Sequence, residues 1–197
     1  MKFRMLAVAA AMLLSAAAHA SSPVFIENFD EYAAGGLNFV FPANTWTVSG
    51  GTVDIVPEGS QFYFLPVANG EYVDLDGSTN AAGLLSRTIA VPVAGEYSMT
   101  FELAGNFRNG GTEATTVTLG STTATFTPSS ETSTQTITIT GYSTGTSLYI
   151  AFQDASHDNI GSLLDNISVS AVPEPGNLAL MLAGVAALGA VARRRRG

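Results

Sequence analysis

The chain contains no cysteine. Disulfides, thiol nucleophiles and iron–sulfur clusters are excluded, so stability must come from burial, backbone pairing or a bound metal. Positive charge is scarce as well. All sixteen acidic residues lie between Glu27 and Glu174, and only two of the eight cations, Arg87 and Arg108, fall among them. A body this acidic repels phosphate backbones and anionic lipid surfaces, which argues against nucleic-acid binding and favours divalent cations as partners. Beyond residue 20 there is one histidine, His157, and the chain has one tryptophan, Trp46. Nucleophile-elbow and metalloprotease motifs are missing. So is any stretch with convincing 3.6-residue periodicity between residues 21 and 172.

The two ends differ from the middle. The N-terminus, MKFRMLAVAAAMLLSAAAHA, has a basic start at Lys2 and Arg4, an apolar run from Met5 to Leu14, and an A-x-A site at Ala18-His19-Ala20. This is the pattern of a secretory signal peptide cut after Ala20, so residues 1–20 are set apart from the fold and the Sec export machinery is an expected partner. The C-terminus, AVPEPGNLALMLAGVAALGAVARRRRG, holds Pro173-Glu174-Pro175, then 15 uncharged residues from Leu178 to Ala192, then Arg193, Arg194, Arg195 and Arg196. A helix over 177–192 would carry an apolar length of roughly 22 Å at 1.5 Å per residue. That is short against a hydrocarbon core of about 30 Å. Four arginines would hold their end in the cytoplasm and leave the Pro-Glu-Pro segment at the outer face. Two prolines keep that segment extended and open to a processing enzyme. The same tail also reads as a simple single-pass anchor with a proline-rich stalk.

Between the ends, residues 21–172 alternate with period two. Tyr97, Met99, Phe101 and Leu103 fall on one side of EYSMTFELAG, Ile137 and Ile139 on one side of QTITITGYS, Leu148, Ile150 and Phe152 on one side of SLYIAFQD, and Ile167 and Val169 on one side of LLDNISVS. Turn residues such as Gly50-Gly51, Asp76-Gly77 and Asn109-Gly110-Gly111 punctuate these runs. Short half-buried strands between such turns predict an all-β, antiparallel two-sheet sandwich of the jelly-roll kind. The stretch from Gly120 to Thr136 reads as the most loop-like, with TTATFT an open choice between loop and strand. The strands near Phe25–Asp30 and Leu163–Ser170 are expected to pair, which would bring Asp30 near Asp165.

The order Pro173-Glu174-Pro175, apolar helix, arginine cluster resembles the sorting tail of PEP-CTERM proteins of Gram-negative bacteria. That resemblance implies processing by the membrane enzyme exosortase, an inner-membrane intermediate, and delivery to the cell surface or extracellular matrix. The middle resembles galactose-binding-like sandwiches, including choice-of-anchor surface domains and some carbohydrate-binding modules. The resemblance is carried by Asn28-Phe29-Asp30, WTVSGGTVDIV (46–56), YVDLDGS (72–78), the run from Gly83 to Asn106, and Leu164-Asp165-Asn166-Ile167-Ser168-Val169. It implies a structural calcium held by Asp30 and Asp165, with Glu27 nearby, in keeping with the preference of calcium for carboxylate oxygens. Asp74-Leu75-Asp76-Gly77 places two further carboxylates together without the spacing of an EF-hand loop. The alternative for all these acids is that they cap turns and face water.

Glycan contact calls for an exposed aromatic. Phe62-Tyr63-Phe64 cannot all face inward on a strand, so Tyr63 is the first candidate. Trp46 is the second, though a strand tryptophan also fits a core, and Tyr142 and Phe107 lie beside turns. Asp154, Ser156, His157 and Asp158 invite comparison with a hydrolytic triad, but triads are defined in space and an acidic loop is the simpler reading. The sequence thus predicts an exported, exosortase-processed surface or matrix protein with a non-catalytic interaction or structural domain. The alternative is a carbohydrate-binding module for exopolysaccharide, and a glycan hydrolase stands third.

Overall fold

Alternation becomes two layers. The structure, a computed structural model, describes residues 22–32, 35–58, 70–108 and 112–173, with 182, 184–186, 188–189, 191 and 193–194 in the tail. The chain divides into a unit spanning Ser21–Val172 and a second unit made of Met1–Ala20 and Pro173–Gly197.

Among the described residues the first unit holds eleven strands: β1 (Phe25–Glu27), β2 (Thr47–Ser49), β3 (Asp54–Val56), β4 (Tyr72–Asp74), β5 (Leu84–Ala90), β6 (Gly95–Ala104), β7 (Thr115–Leu119), β8 (Thr122–Phe126), β9 (Gln135–Ser143), β10 (Ser147–Asp154) and β11 (Leu163–Ala171). One sheet runs β3-β4-β11-β6-β9, with β1 also paired to β11; the other runs β2-β5-β10-β7-β8. All strand pairs are antiparallel. The terminal strands meet as expected, Phe25 opposite Val169 and Glu27 opposite Ile167. Part of the loop-like stretch, Thr122–Phe126, is a strand, because Gly120 turns the chain back sharply between Leu119 and Thr122. Its φ of +54° suits glycine at the first central position of a two-residue hairpin, and a side chain there would strike the Tyr142 carbonyl.

The inward residues of both sheets form one core. Tyr97, Met99, Phe101 and Leu103 of β6 meet Leu148, Ile150 and Phe152 of β10, and Leu85, Val117, Leu119, Ile167 and Val169 complete it. Phe152 lies edge-on to Phe101 with ring centroids 5.4 Å apart. Gly141 of β9 is what lets the sheets close at one corner, because the Leu119 carbonyl fills the space a Cβ would need.

The described tail residues from 182 onward are helical. No helix among the described residues is long and apolar enough to cross a membrane. The expected signal peptide, with Ala18 and Ala20, lies outside the described residues, as do Glu174, Pro175, Arg195 and Arg196; Pro173 is exposed.

Candidate functional site

Three polar regions follow from the register. The first surrounds Glu27. Its strand partner Ile167 is fully buried, and cross-strand partners share a face, so Glu27 points between the sheets. There its Oε2 accepts from Trp46 Nε1 (2.9 Å), Tyr32 Oη (3.1 Å) and Arg87 Nη1 (3.5 Å), while Oε1 accepts from the Phe29 N–H (3.1 Å). The Arg87 guanidinium lies 4.9 Å from the Phe25 ring centre. Trp46 is only 3% exposed and packs against Phe25, Phe29 and Phe152. It floors a depression of about 360 Å³ lined also by Phe41, Pro42 and Val48, but offers it almost no surface. The expectation of Trp46 as a glycan platform is therefore corrected: its indole is used to hold Glu27. Tyr63 lies outside the described residues.

The second region is the outward side of the β11–β6 pair. One extra residue in β11 opposite β6, between Asp165 and Ser168, makes a bulge, and Asn166 adopts a left-handed φ of +50°. Both Asp165 and Asn166 are thereby turned away from the core. The Asn166 amide donates to Glu102 (3.0 Å) and Asp165 (3.1 Å), and its N–H to Asp165 Oδ1 (2.7 Å). Asp30, held by the Glu71 N–H (2.8 Å) and the Asn28 amide, joins the electrostatics. Burial, followed by the charges of Glu102, Asp30 and Glu27, pushes the Asp165 carboxyl up to about 7. Of the set expected for calcium, Asp30 and Glu27 both act on Asp165 through their charge, but the Glu27 carboxylate is turned inward and taken up by Trp46, Tyr32 and Arg87. Among the described residues no three Asp, Glu or His side chains are placed to hold one ion.

Buried aspartates elsewhere tie loops together. Asp54 accepts from the Asn38 and Ser78 N–H groups (2.6 and 3.1 Å), and Asp74 from those of Asp76 and Gly161 (3.0 and 3.1 Å). Asp76 accepts from Asp158 and Asn159 (3.1 and 3.0 Å). Asp154 accepts from the Ser162 N–H (3.0 Å) and from the Ser156 hydroxyl (2.7 Å), so that hydroxyl is bonded to an aspartate and His157 stays exposed. Nearby, burial and then Asp154, Asp158 and Asp76 raise the Glu113 carboxyl to about 7. These aspartates act as acceptors for turns, as in the alternative for Asp74 and Asp76, but they are buried rather than facing water.

The third region is the outer face of the five-stranded sheet, and the sequence did not single it out. Register sets two rows across it, Thr47–Ser86–Ala151–Thr118–Thr123 and Ser49–Leu84–Gln153–Thr116–Thr125. Beside them Thr88 faces Tyr149. No residue of these rows is charged. Tyr149 is 40% exposed. On β10, Tyr149 and Gln153 stand exposed on either side of Ala151, which is buried. The hydroxyl pairs Thr116–Thr125 (3.4 Å) and Thr118–Thr123 (3.3 Å) are long, so these groups can exchange partners readily. The signal was present in SLYIAFQD: an aromatic on the polar phase of a buried alternation points outward.

Comparison with known proteins bears on both units. Residues 171–196 match the PEP-CTERM protein-sorting motif, so the tail is a sorting signal of that kind. The domain is similar in structure to the CBM22-1 xylan-binding domain from Paenibacillus barcinonensis Xyn10C, with a TM-score of 0.51 at 16% identity over 79% of this chain and 97% of that one. Weaker likenesses are to a carbohydrate-binding module from Cellvibrio mixtus lichenase 5A in complex with cellotriose (TM-score 0.45, 14% identity, 75% and 97% covered) and to a family 35 carbohydrate-binding module from Clostridium thermocellum (TM-score 0.44, 15% identity, 66% and 95% covered). The first likeness is one of fold. No curated protein matches the chain in sequence.

Proposed function

We propose that the chain is exported, processed by an exosortase at its Pro173-Glu174-Pro175 tail, and delivers a non-catalytic sandwich to the cell surface or matrix, where the uncharged outer face of the five-stranded sheet meets neutral polysaccharide. The observation that carries this reading is the face itself. In a chain with sixteen acids, an exposed tyrosine sits beside threonines, serines and a glutamine with no carboxylate in either row. Covering a carboxylate with a neutral sugar costs solvation that nothing returns. Hydroxyls and amides instead trade water for sugar hydroxyls at little net cost. Acidic glycans are disfavoured by the charge of the whole domain. The relatives in fold include a xylan-binding domain, which agrees with this choice of ligand class.

The tail supports the destination. Proline-flanked, exposed backbone at residue 173 precedes the helix, and four arginines fix its orientation. Affinity electrophoresis in gels containing neutral polysaccharides tests the binding role: the protein should be retarded by at least one neutral glycan and by no polyuronate. Free migration through every neutral gel would reject it. Mass spectrometry of the protein from its host tests the sorting role, with an intact ARRRRG end as the contrary result.

A further inference from the structure

A fully buried carboxylate needs partners for both of its oxygens, or a cation. Asp54 and Asp154 meet that need with hydrogen bonds alone. Asp54 accepts from the Asn38 N–H through Oδ1 and from the Ser78 hydroxyl through Oδ2. Asp154 accepts from the Ser156 hydroxyl through Oδ1 and from Thr115 and Ser162 through Oδ2.

Asp76 is different. It is fully buried, and its Oδ2 accepts from the Asp158 and Asn159 N–H groups. Its Oδ1 is buried too and has no hydrogen-bond partner. Two more buried oxygens share that condition, Asn159 Oδ1 and Ser162 Oγ. All three belong to one corner, where the turn after β4 meets the loop before β11. The Leu75 N–H donates to the Ser162 carbonyl (3.1 Å), and a side chain at Gly161 would strike the Asp76 nitrogen. The corner is strongly negative. Burial and then the charges of Asp154, Asp158 and Asp76 raise the Glu113 carboxyl. The nearby cation, Arg108, reaches the Asn159 carbonyl (2.7 Å) and Asp74 (4.0 Å), and neither ion pair among the described residues includes Asp76.

We propose that Asp76 Oδ1, Asn159 Oδ1 and Ser162 Oγ hold a calcium ion that ties the turn after β4 to the loop before β11. The donors are a carboxylate, an amide and a hydroxyl, all oxygen, which suits a hard cation rather than zinc or copper. Among the described residues three carboxylates do not converge on one point. Calcium does not require that, since amide oxygens and waters complete its shell. Magnesium demands octahedral geometry and fits an irregular loop corner less well. One carboxylate in the shell places the affinity in the weak range of extracellular calcium modules. The set shares no residue with Asp30, Asp165 and Glu27.

The test uses the protein purified from its host after export, stripped with chelator and melted with and without added calcium. Wild type should gain about 3–6 °C at ten times the dissociation constant. Ser162→Ala removes a hydroxyl that has no partner. Asn159→Gly removes the amide and keeps the left-handed φ of +64°. Both should therefore fold in chelator, and each should weaken calcium binding about tenfold. Asp165→Asn should keep the full wild-type shift. A wild type that calcium does not stabilise overturns the inference. So does a full shift in both Ser162→Ala and Asn159→Gly, or a shift that Asp165→Asn abolishes. An equal shift from magnesium would mark plain screening of an acidic body and overturn it too.

Discussion

The two outer faces of the sandwich are built from the same alternating threonine and serine, yet they are opposite in chemistry. The face of the five-stranded sheet is neutral and carries Tyr149 in register with Thr88. The face of the six-stranded sheet carries Glu96, Glu102 and Asp165 among its hydroxyls, with Tyr142 51% exposed beside Glu96. The difference teaches where acids go in a protein that has many. They gather at loops that need acceptors for backbone N–H groups and on one sheet face, while the rows of the other face carry none, as the proposed contact with neutral glycan requires.

The largest expected effect concerns the inward acid. Glu27→Ala leaves the Arg87 guanidinium, the Trp46 indole and the Tyr32 hydroxyl without their acceptor. Breaking a fully buried pair from one side costs about 3–5 kcal/mol; this pair is partly buried, and urea denaturation should show a loss toward the lower end of that range. Asp165→Asn, on the outward side of the same sheet, should do the reverse and stabilise at neutral pH. Equal losses from both would erase the distinction between inward and outward acids.

A smaller effect is expected in binding. Tyr149→Ala should weaken retention on neutral glycan about tenfold, or 1.4 kcal/mol, with little change in folding stability. Thr118→Asp, which brings a carboxylate into the neutral row, should weaken it similarly.

Folding stability also responds to pH. Asp165 and Glu113 have raised pKa values, both to about 7. The folded state therefore holds protons more tightly than the unfolded one, and stability falls as pH rises from about 4 to about 7. The melting midpoint should be higher at pH 5 than at pH 8, and Asp165→Asn should flatten that slope. A midpoint that rises across this range would contradict the account of the acidic face.

Much of this was readable from the sequence, for definable reasons. Alternation placed Phe101, Leu103, Ile150, Phe152, Ile167 and Val169 in the core, since a period of two leaves a strand one choice of face. The sorting tail was legible because its three parts are contiguous. Glu27 was not: its partners Trp46 and Arg87 lie 19 and 60 residues away, and only register brings them together. Nor was the bulge at Asn166, which turns Asp165 and Asn166 out side by side. Trp46 had two readings, platform or core, and the core one holds because its indole N–H finds an acceptor in Glu27. The outward direction of Tyr149 follows from the alternation of β10, but the neutral rows beside it come from β2, β5, β7 and β8 and exist only through register.

The most direct test of the central claim is affinity electrophoresis of three proteins side by side, wild type, Tyr149→Ala and Tyr142→Ala, in a neutral polysaccharide that retards the wild type. The account predicts that Tyr149→Ala is retarded far less than the wild type while Tyr142→Ala is retarded like it. Retardation that survives in Tyr149→Ala and is lost in Tyr142→Ala would move the site to the acidic face and contradict it.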